Sequence, residues 1–123
     1  MILVDKHRHL VYTRLCEQKY NLRRQFRGKN GWEDEGKVII IGEKINGAIP
    51  SVKQAIAERD ADLIRQRAVM QAEAGAHFID CAASTAPELE YDAMVWLIGL
   101  IQDAADTPIC IDSPNAKLLA RLI

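Results

Sequence analysis

From Val38 onward the apolar residues fall into two alternating patterns: short unbroken runs, and longer stretches in which they recur every three or four positions. Val38 to Ile41 is a run of four β-branched residues, which suits a strand covered on both faces, as parallel strands in α/β proteins are. Gly42 ends the run, and Glu43, Lys44 and Asn46 follow within five residues. His77 to Ala82 predicts a second strand, and Ile109 to Ile111, just after Pro108, a third. Helical spacing fills the intervals. Ser51 is the expected cap of a short segment running to Arg59. Asp60 or Asp62 caps a longer one, in which Ile64, Ala68 and Ala72 recur until Gly75 ends it. Thr85-Ala86-Pro87-Glu88 has the capping-box spacing, and the helix it opens carries Met94, Leu97, Ile98 and Ile101 on one face. Asn115 to Ile123 begins a further helix with Leu118, Leu119 and Leu122 as its apolar residues.

The expected strands recur about every 30 to 40 residues, the length of a strand–helix unit with its loops. The handedness rule for such crossovers makes them parallel and puts their carboxyl ends on one side. Each run ends in hydrogen-bonding side chains: Glu43 and Asn46, then Asp80, then Asp112, Ser113 and Asn115. The carboxyl ends of parallel strands are where α/β folds keep their chemistry. The pattern therefore predicts an α/β domain over 38–123, with these six residues gathered at one rim.

Residues 1–37 read differently, as a basic N-terminal extension made of a helix and a linker. Val11, Leu15, Leu22 and Phe26 fall at roughly helical spacing among Arg14, Arg23, Arg24 and Arg27, before Gly28, Asn30, Gly31 and an acidic Glu33-Asp34-Glu35 run break the pattern. Up to Lys37 there are nine Lys/Arg against five Asp/Glu, and from Val38 seven against twelve, so a net charge of −1 hides a basic head on an acidic body. A nucleic-acid partner is not expected, because the basic stretch spans only one helix and forms no recognised module.

At 123 residues the chain is at most one domain. No apolar stretch approaches the roughly 20 residues of a membrane helix. Met1 to Val4 followed by Asp5, Lys6, His7 and Arg8 is the wrong order for a secretory signal, so a cytoplasmic protein without a membrane partner is expected. Cys16, Cys81 and Cys110 have no metal-binding spacing, and read as reduced thiols acting as small apolar residues. His7 and His9 have no further ligand close by, so no metal site is expected.

Three motifs carry a resemblance: Gly-Glu-Lys-Ile-Asn-Gly from Gly42, Glu-Ala-Gly-Ala-His-Phe-Ile-Asp ending at Asp80, and Pro-Ile-Cys-Ile-Asp-Ser-Pro-Asn from Pro108 to Asn115. In this order and spacing, 38–123 resembles the pterin-binding domain of methyltetrahydrofolate:corrinoid/iron-sulfur protein methyltransferases, related to the folate domain of cobalamin-dependent methionine synthase. Residues 1–37 have no counterpart in that pattern. Two positions depart from it: Ala82 stands where the family often has an amide, and Lys44 where arginine is common, which keeps the charge but not the planar fork. Dihydropteroate synthase shares the fold, but its Asn- and Asp-rich turn after the first strand is absent.

The resemblance implies a (β/α)8 TIM barrel, of which this chain carries the first three βα units. Methyltetrahydrofolate would lie in a polar cup at the strand ends, with Asp112 hydrogen-bonding the pterin, Glu43 and Asn46 lining the cup, Ser113 and Asn115 beside Asp112, and Asp80 completing the second strand. It further implies transfer of the N5 methyl group of methyltetrahydrofolate to the cobalt of a corrinoid (cobalamin-type) cofactor on a partner protein. The cobalt then supplies the nucleophile, so no serine or cysteine nucleophile is required of this chain. A full barrel needs about 250 residues, and 38–123 is far shorter. The expectation is therefore an incomplete barrel, inactive alone, which self-associates or pairs with a missing barrel half. Two alternatives stand beside it: a non-catalytic pterin-binding or assembly module, and a truncated remnant.

Overall fold

The computed structural model describes Ile2–Val4, Leu10–Tyr12 and residues 39–123. Its elements are β1 (Ile2–Val4), β2 (Leu10–Tyr12), β3 (Ile41–Asn46), α1 (Pro50–Glu58), α2 (Ala61–Glu73), β4 (Phe78–Ala82), α3 (Pro87–Ala104), β5 (Ile109–Ile111) and α4 (Ala116–Leu122). They build one five-stranded sheet in the order β2-β1-β5-β4-β3. The expected α/β alternation is present, and β3, β4 and β5 are mutually parallel. β1 adds antiparallel to β5, and β2 antiparallel to β1. Val11 thus lies in a strand. That corrects the helical reading at Val11; the rest of the helix expected through Leu15, Leu22 and Phe26, with Cys16, His7 and His9, lies outside the described residues.

Alternation along the strands sorts side chains onto two faces. Ile45, Ile79, Cys81, Ile109 and Ile111 join one buried cluster with Val52 and Ile56 of α1, Ile64 and Ala68 of α2, Met94, Leu97 and Ile101 of α3, and Leu118 of α4. All four helices of the described residues therefore cover the same face of the sheet. Burying each large aliphatic side chain there contributes about 1.5–3 kcal/mol, and the apolar stripe predicted for α3 is the largest share of that core. The intervening positions, among them Phe78, Asp80, Ala82 and Cys110, turn to the other face. All five residues of β4, the central parallel strand, are buried.

Three local expectations need correction. The first parallel strand is Ile41–Asn46; of the run expected to form it, Ile39 and Ile40 are half exposed just before it, and Val38 lies outside the described residues. β3 is the last strand of the sheet, so an apolar run there is not covered on both sides as a central strand would be. Ser51 does not cap α1: Pro50 takes the first turn and Ile49 is the cap residue, leaving Ser51 inside the helix. Thr85 likewise forms no capping box. Pro87 opens α3, Ala86 stands at the cap, and the Thr85 hydroxyl is buried with no hydrogen-bond partner. In both helices the fixed φ of proline favours the first helical position, which sets the start and displaces the hydroxyl residue. Asp60 does cap α2, accepting from the backbone N–H groups of Asp62 and Leu63 at 3.2 Å each. Gly75 follows that helix with φ +87°, the left-handed conformation expected of a terminating glycine.

Candidate functional site

The candidate residues lie on the three parallel strands: Asn46 and Asp112 stand at the carboxyl ends of β3 and β5, whereas Asp80 and Glu43 stand within β4 and β3, not at the ends where the sequence pattern put them. In β4 and β5, Asp80 pairs in register with Cys110. Side chains two apart on a strand share a face, so Asp112 continues on the face of Cys110 and Asp80. The Asp112 backbone N–H extends the ladder, donating to the carbonyl of Cys81 at 3.0 Å. From β3 come Glu43, exposed, and Asn46, half-buried.

Asp80 is the buried member of this group, 8% exposed. Its carboxyl is pushed up from 3.8 to about 6, first by burial and then by the negative charge of Asp112. A hydrogen bond from the Cys110 thiol opposes the rise, and the charge of Glu43 adds to it. Burial in turn pushes the Cys110 thiol up to about 12 and raises the Cys81 thiol further. Both are free, reduced and protonated, in keeping with their role as small apolar residues. Asp80 thus lies close enough to Asp112 and Glu43 to feel both negative charges.

The amide and hydroxyl candidates are more committed to the fold. Asn46 Oδ1 accepts from the Ala48 N–H at 2.9 Å and from Ser84 Oγ at 3.1 Å, which leaves its Nδ2 as the group it can offer outward. Ser113 is buried; its hydroxyl donates to Glu90 Oε1 at 2.5 Å and accepts from the Asn115 N–H at 3.0 Å. Asn115 Oδ1 caps α4, accepting from Lys117 and Leu118 at 3.1 and 3.2 Å. The structure therefore brings Glu43, Asp80, Asp112 and Asn46 to the rim, and ties Ser113 and the Asn115 carbonyl into the joint between β5, α3 and α4.

Ser84 and Cys110 were not among the expected site residues. Cys110 could have been found from its position two before Asp112 in the same strand. Ser84 carries φ 50°, a left-handed conformation, and sits in the loop after β4 beside Gly47. Gly47 donates its N–H to the Ala82 carbonyl at 2.8 Å, and a Cβ on it would fall 1.8 Å from the Ala83 carbonyl oxygen. That close approach joins the loops after β3 and β4 at the rim. A shallow depression lined by Tyr91, Val95, Ile98, Arg121 and Leu122 lies on the outer helices and carries none of these acids. Among the described residues no group of three or more His, Cys, Asp or Glu is placed to hold a metal ion, and no helix is long and apolar enough to cross a membrane.

Fold and rim together define a class: an α/β domain whose adjacent parallel strands deliver carboxylates and an amide to one edge. No family model matches the chain. Over 82 residues it is 56% identical to the methylcorrinoid:tetrahydrofolate methyltransferase of Eubacterium limosum, an overlap of 67% of this chain and 30% of that protein. The chain thus spans less than a third of the length of this curated relative. The likeness read from the three strand-end motifs is borne out by that match.

Proposed function

We propose that this chain supplies the pterin-binding face for methyl transfer between a folate and a corrinoid carried on a partner protein, with β3 to α4 acting as the first three strand–helix units of a (β/α)8 architecture. The observation that carries the reading is the grouping of Asp80, at the middle of β4, with Asn46 and Asp112 at the carboxyl ends of β3 and β5 and with Glu43 within β3, on three adjacent parallel strands. The relative's name supports the choice of substrates. That name reads from methylcorrinoid to tetrahydrofolate, the opposite sense to the one the motifs imply. Both senses share one transition state, so the groups that stabilise it are the same.

A pterin edge presents an amino group and ring N–H donors, and fixed carboxylates accept from these in place at low reorganisation cost. Asp112 and Glu43 are the exposed acceptors, and Asn46 Nδ2 is a donor for a ring carbonyl or nitrogen. N5 sheds a proton when it gains a methyl group, and must be protonated before it can lose one. Asp80, poised near pH 6, is the rim residue able to take or hold that proton. The corrinoid supplies or accepts the methyl group itself.

Calorimetric titration of the chain with methyltetrahydrofolate and with tetrahydrofolate tests this directly. We expect saturable binding that Asp112→Asn weakens about tenfold or more, the worth of a charge-assisted hydrogen bond. Absence of saturable heat with both folates, or equal affinity in Asp112→Asn, would refute it.

A further inference from the structure

Strand β3 does not pair evenly with β4. Ile41 and Gly42 lie opposite Phe78 and Ile79, but the next partners are Ile45 with Cys81 and Asn46 with Ala82. Three steps on β3 match two on β4, which is a one-residue bulge around Glu43 and Lys44. Its consequence is large, because a one-residue slip moves every following side chain to the opposite face. With the bulge, Ile45 is fully buried among the helices and Asn46 turns to the rim, where it meets Ser84. Without it, Asn46 would point into the apolar core and Ile45 would occupy the rim.

A bulge interrupts the ladder, and the interrupted residue must find partners elsewhere. Helix α2 supplies them. Gln71 Oε1 accepts from the Lys44 N–H at 2.8 Å, and Arg67 Nη1 donates to the Lys44 carbonyl at 2.9 Å. The two side chains stand one turn apart and are themselves held: Gln71 Nε2 donates to the Arg67 carbonyl at 3.2 Å, and Arg67 Nη2 to Ser51 Oγ at 2.7 Å. Gln71 is 7% exposed, on the same buried stripe as Ile64 and Ala68. Gly42 makes room for it, since a Cβ there would lie 2.5 Å from Gln71 Oε1.

We propose that Gln71, supported by Arg67, is a positioning residue: it stabilises the β3 bulge from the helix side and so sets Asn46 on the folate-facing rim. The proposal rests on the pterin reading above for its functional consequence, and on the pairing register alone for its structural one.

The test uses the 123-residue chain and the variants Gln71→Met, Gln71→Glu and Arg67→Met, with two readouts. The first is methyltetrahydrofolate affinity by calorimetry; the second is nuclear magnetic resonance, following Lys44 amide exchange and the Asn46–Ser84 side-chain proximity. Gln71→Met should weaken binding about tenfold or more, as displaced positioning groups do, and should speed Lys44 exchange and abolish the Asn46–Ser84 proximity. Gln71→Glu, which retains an acceptor beside Arg67, should restore both. A folded Gln71→Met chain that keeps that proximity overturns the proposal. If the unsubstituted chain takes up no folate, the pterin reading falls, while the resonance readout still decides whether Gln71 holds the bulge. Should Gln71→Met not fold, Arg67→Met decides by the same two readouts, and unchanged values there overturn the proposal.

Discussion

Replacing Asp80 by asparagine should change how stability depends on pH. The side chain keeps its shape and an acceptor for the Cys110 thiol, but loses its titration. In the native chain the carboxyl is pushed from 3.8 to about 6, burial being the largest cause. An acid whose pKa is higher in the folded than in the unfolded state binds more protons when folded, so stability falls as pH rises through that interval. The full contribution is present below about pH 4 and lost by about pH 7. The gap between 3.8 and about 6 corresponds to about 3 kcal/mol at most. Urea unfolding of both chains at pH 4 to 8 isolates this group, because the other titrations largely cancel in the difference. The advantage of Asp80→Asn should grow across the interval towards that value and then level off. Asp112→Asn should remove only the smaller part of the dependence, since the Asp112 charge ranks second to burial. A difference that stays flat from pH 4 to 8 would mean that Asp80 titrates as an ordinary exposed acid, and the buried-rim argument would fail.

Gly47→Ala should destabilise the chain by about 1–3 kcal/mol, the usual cost of forced overpacking, because its Cβ would fall 1.8 Å from a backbone oxygen with no flexible side chain to yield. Thermal unfolding followed by circular dichroism measures it, and an unchanged midpoint would contradict the close approach. Asn115→Ala removes the α4 cap and should cost about 1 kcal/mol, whereas Asn115→Asp should retain most of the stability by keeping the acceptor for Lys117 and Leu118. Equal losses in both would show that the cap is not what the Asn115 side chain contributes.

Local patterns foretold the elements that local forces set. The stripe of Met94, Leu97, Ile98 and Ile101 is buried as its spacing requires, β5 matches its predicted ends, and Asp60 caps the helix it was expected to cap. Competition between local signals decided the misplaced helix starts. Thr85 and Ser51 each carry a capping hydroxyl, but each stands next to a proline or one removed from it, and the ring's fixed φ outweighs one side-chain hydrogen bond. The first parallel strand was misplaced for a different reason. Its polar half, Gly-Glu-Lys, resembles a loop; distant pairing with β4 makes it a strand, and Arg67 and Gln71, 23 and 27 residues from Lys44, satisfy the backbone where that pairing is interrupted. Periodicity within a window cannot register such contacts. It also passed over Gln71, a polar residue on an apolar stripe.

The candidate site was legible as a set of neighbouring strands, and less so as a set of available hydrogen-bonding groups. Topology puts Glu43, Asp80 and Asp112 on neighbouring parallel strands, but Asp80 and Glu43 stand within their strands, and pairing register, not a shared strand end, brings Asp80 beside Asp112. What each group can still offer a ligand depends on what the fold has already taken from it. Ser113 gives its hydroxyl to Glu90, and Asn115 gives its carbonyl to α4, so neither contributes the acceptor its residue type suggests. Asn46 keeps a donor only because Ser84 and Ala48 occupy its oxygen and orient the amide. The remaining set is three acids and one amide donor. Burial first, then the negative charges of Asp112 and Glu43, disfavour the ionised form of Asp80, which holds its proton up to about pH 6. A ring rich in N–H donors and needing one proton managed at nitrogen answers both conditions, which is the physical ground for the pterin proposed above.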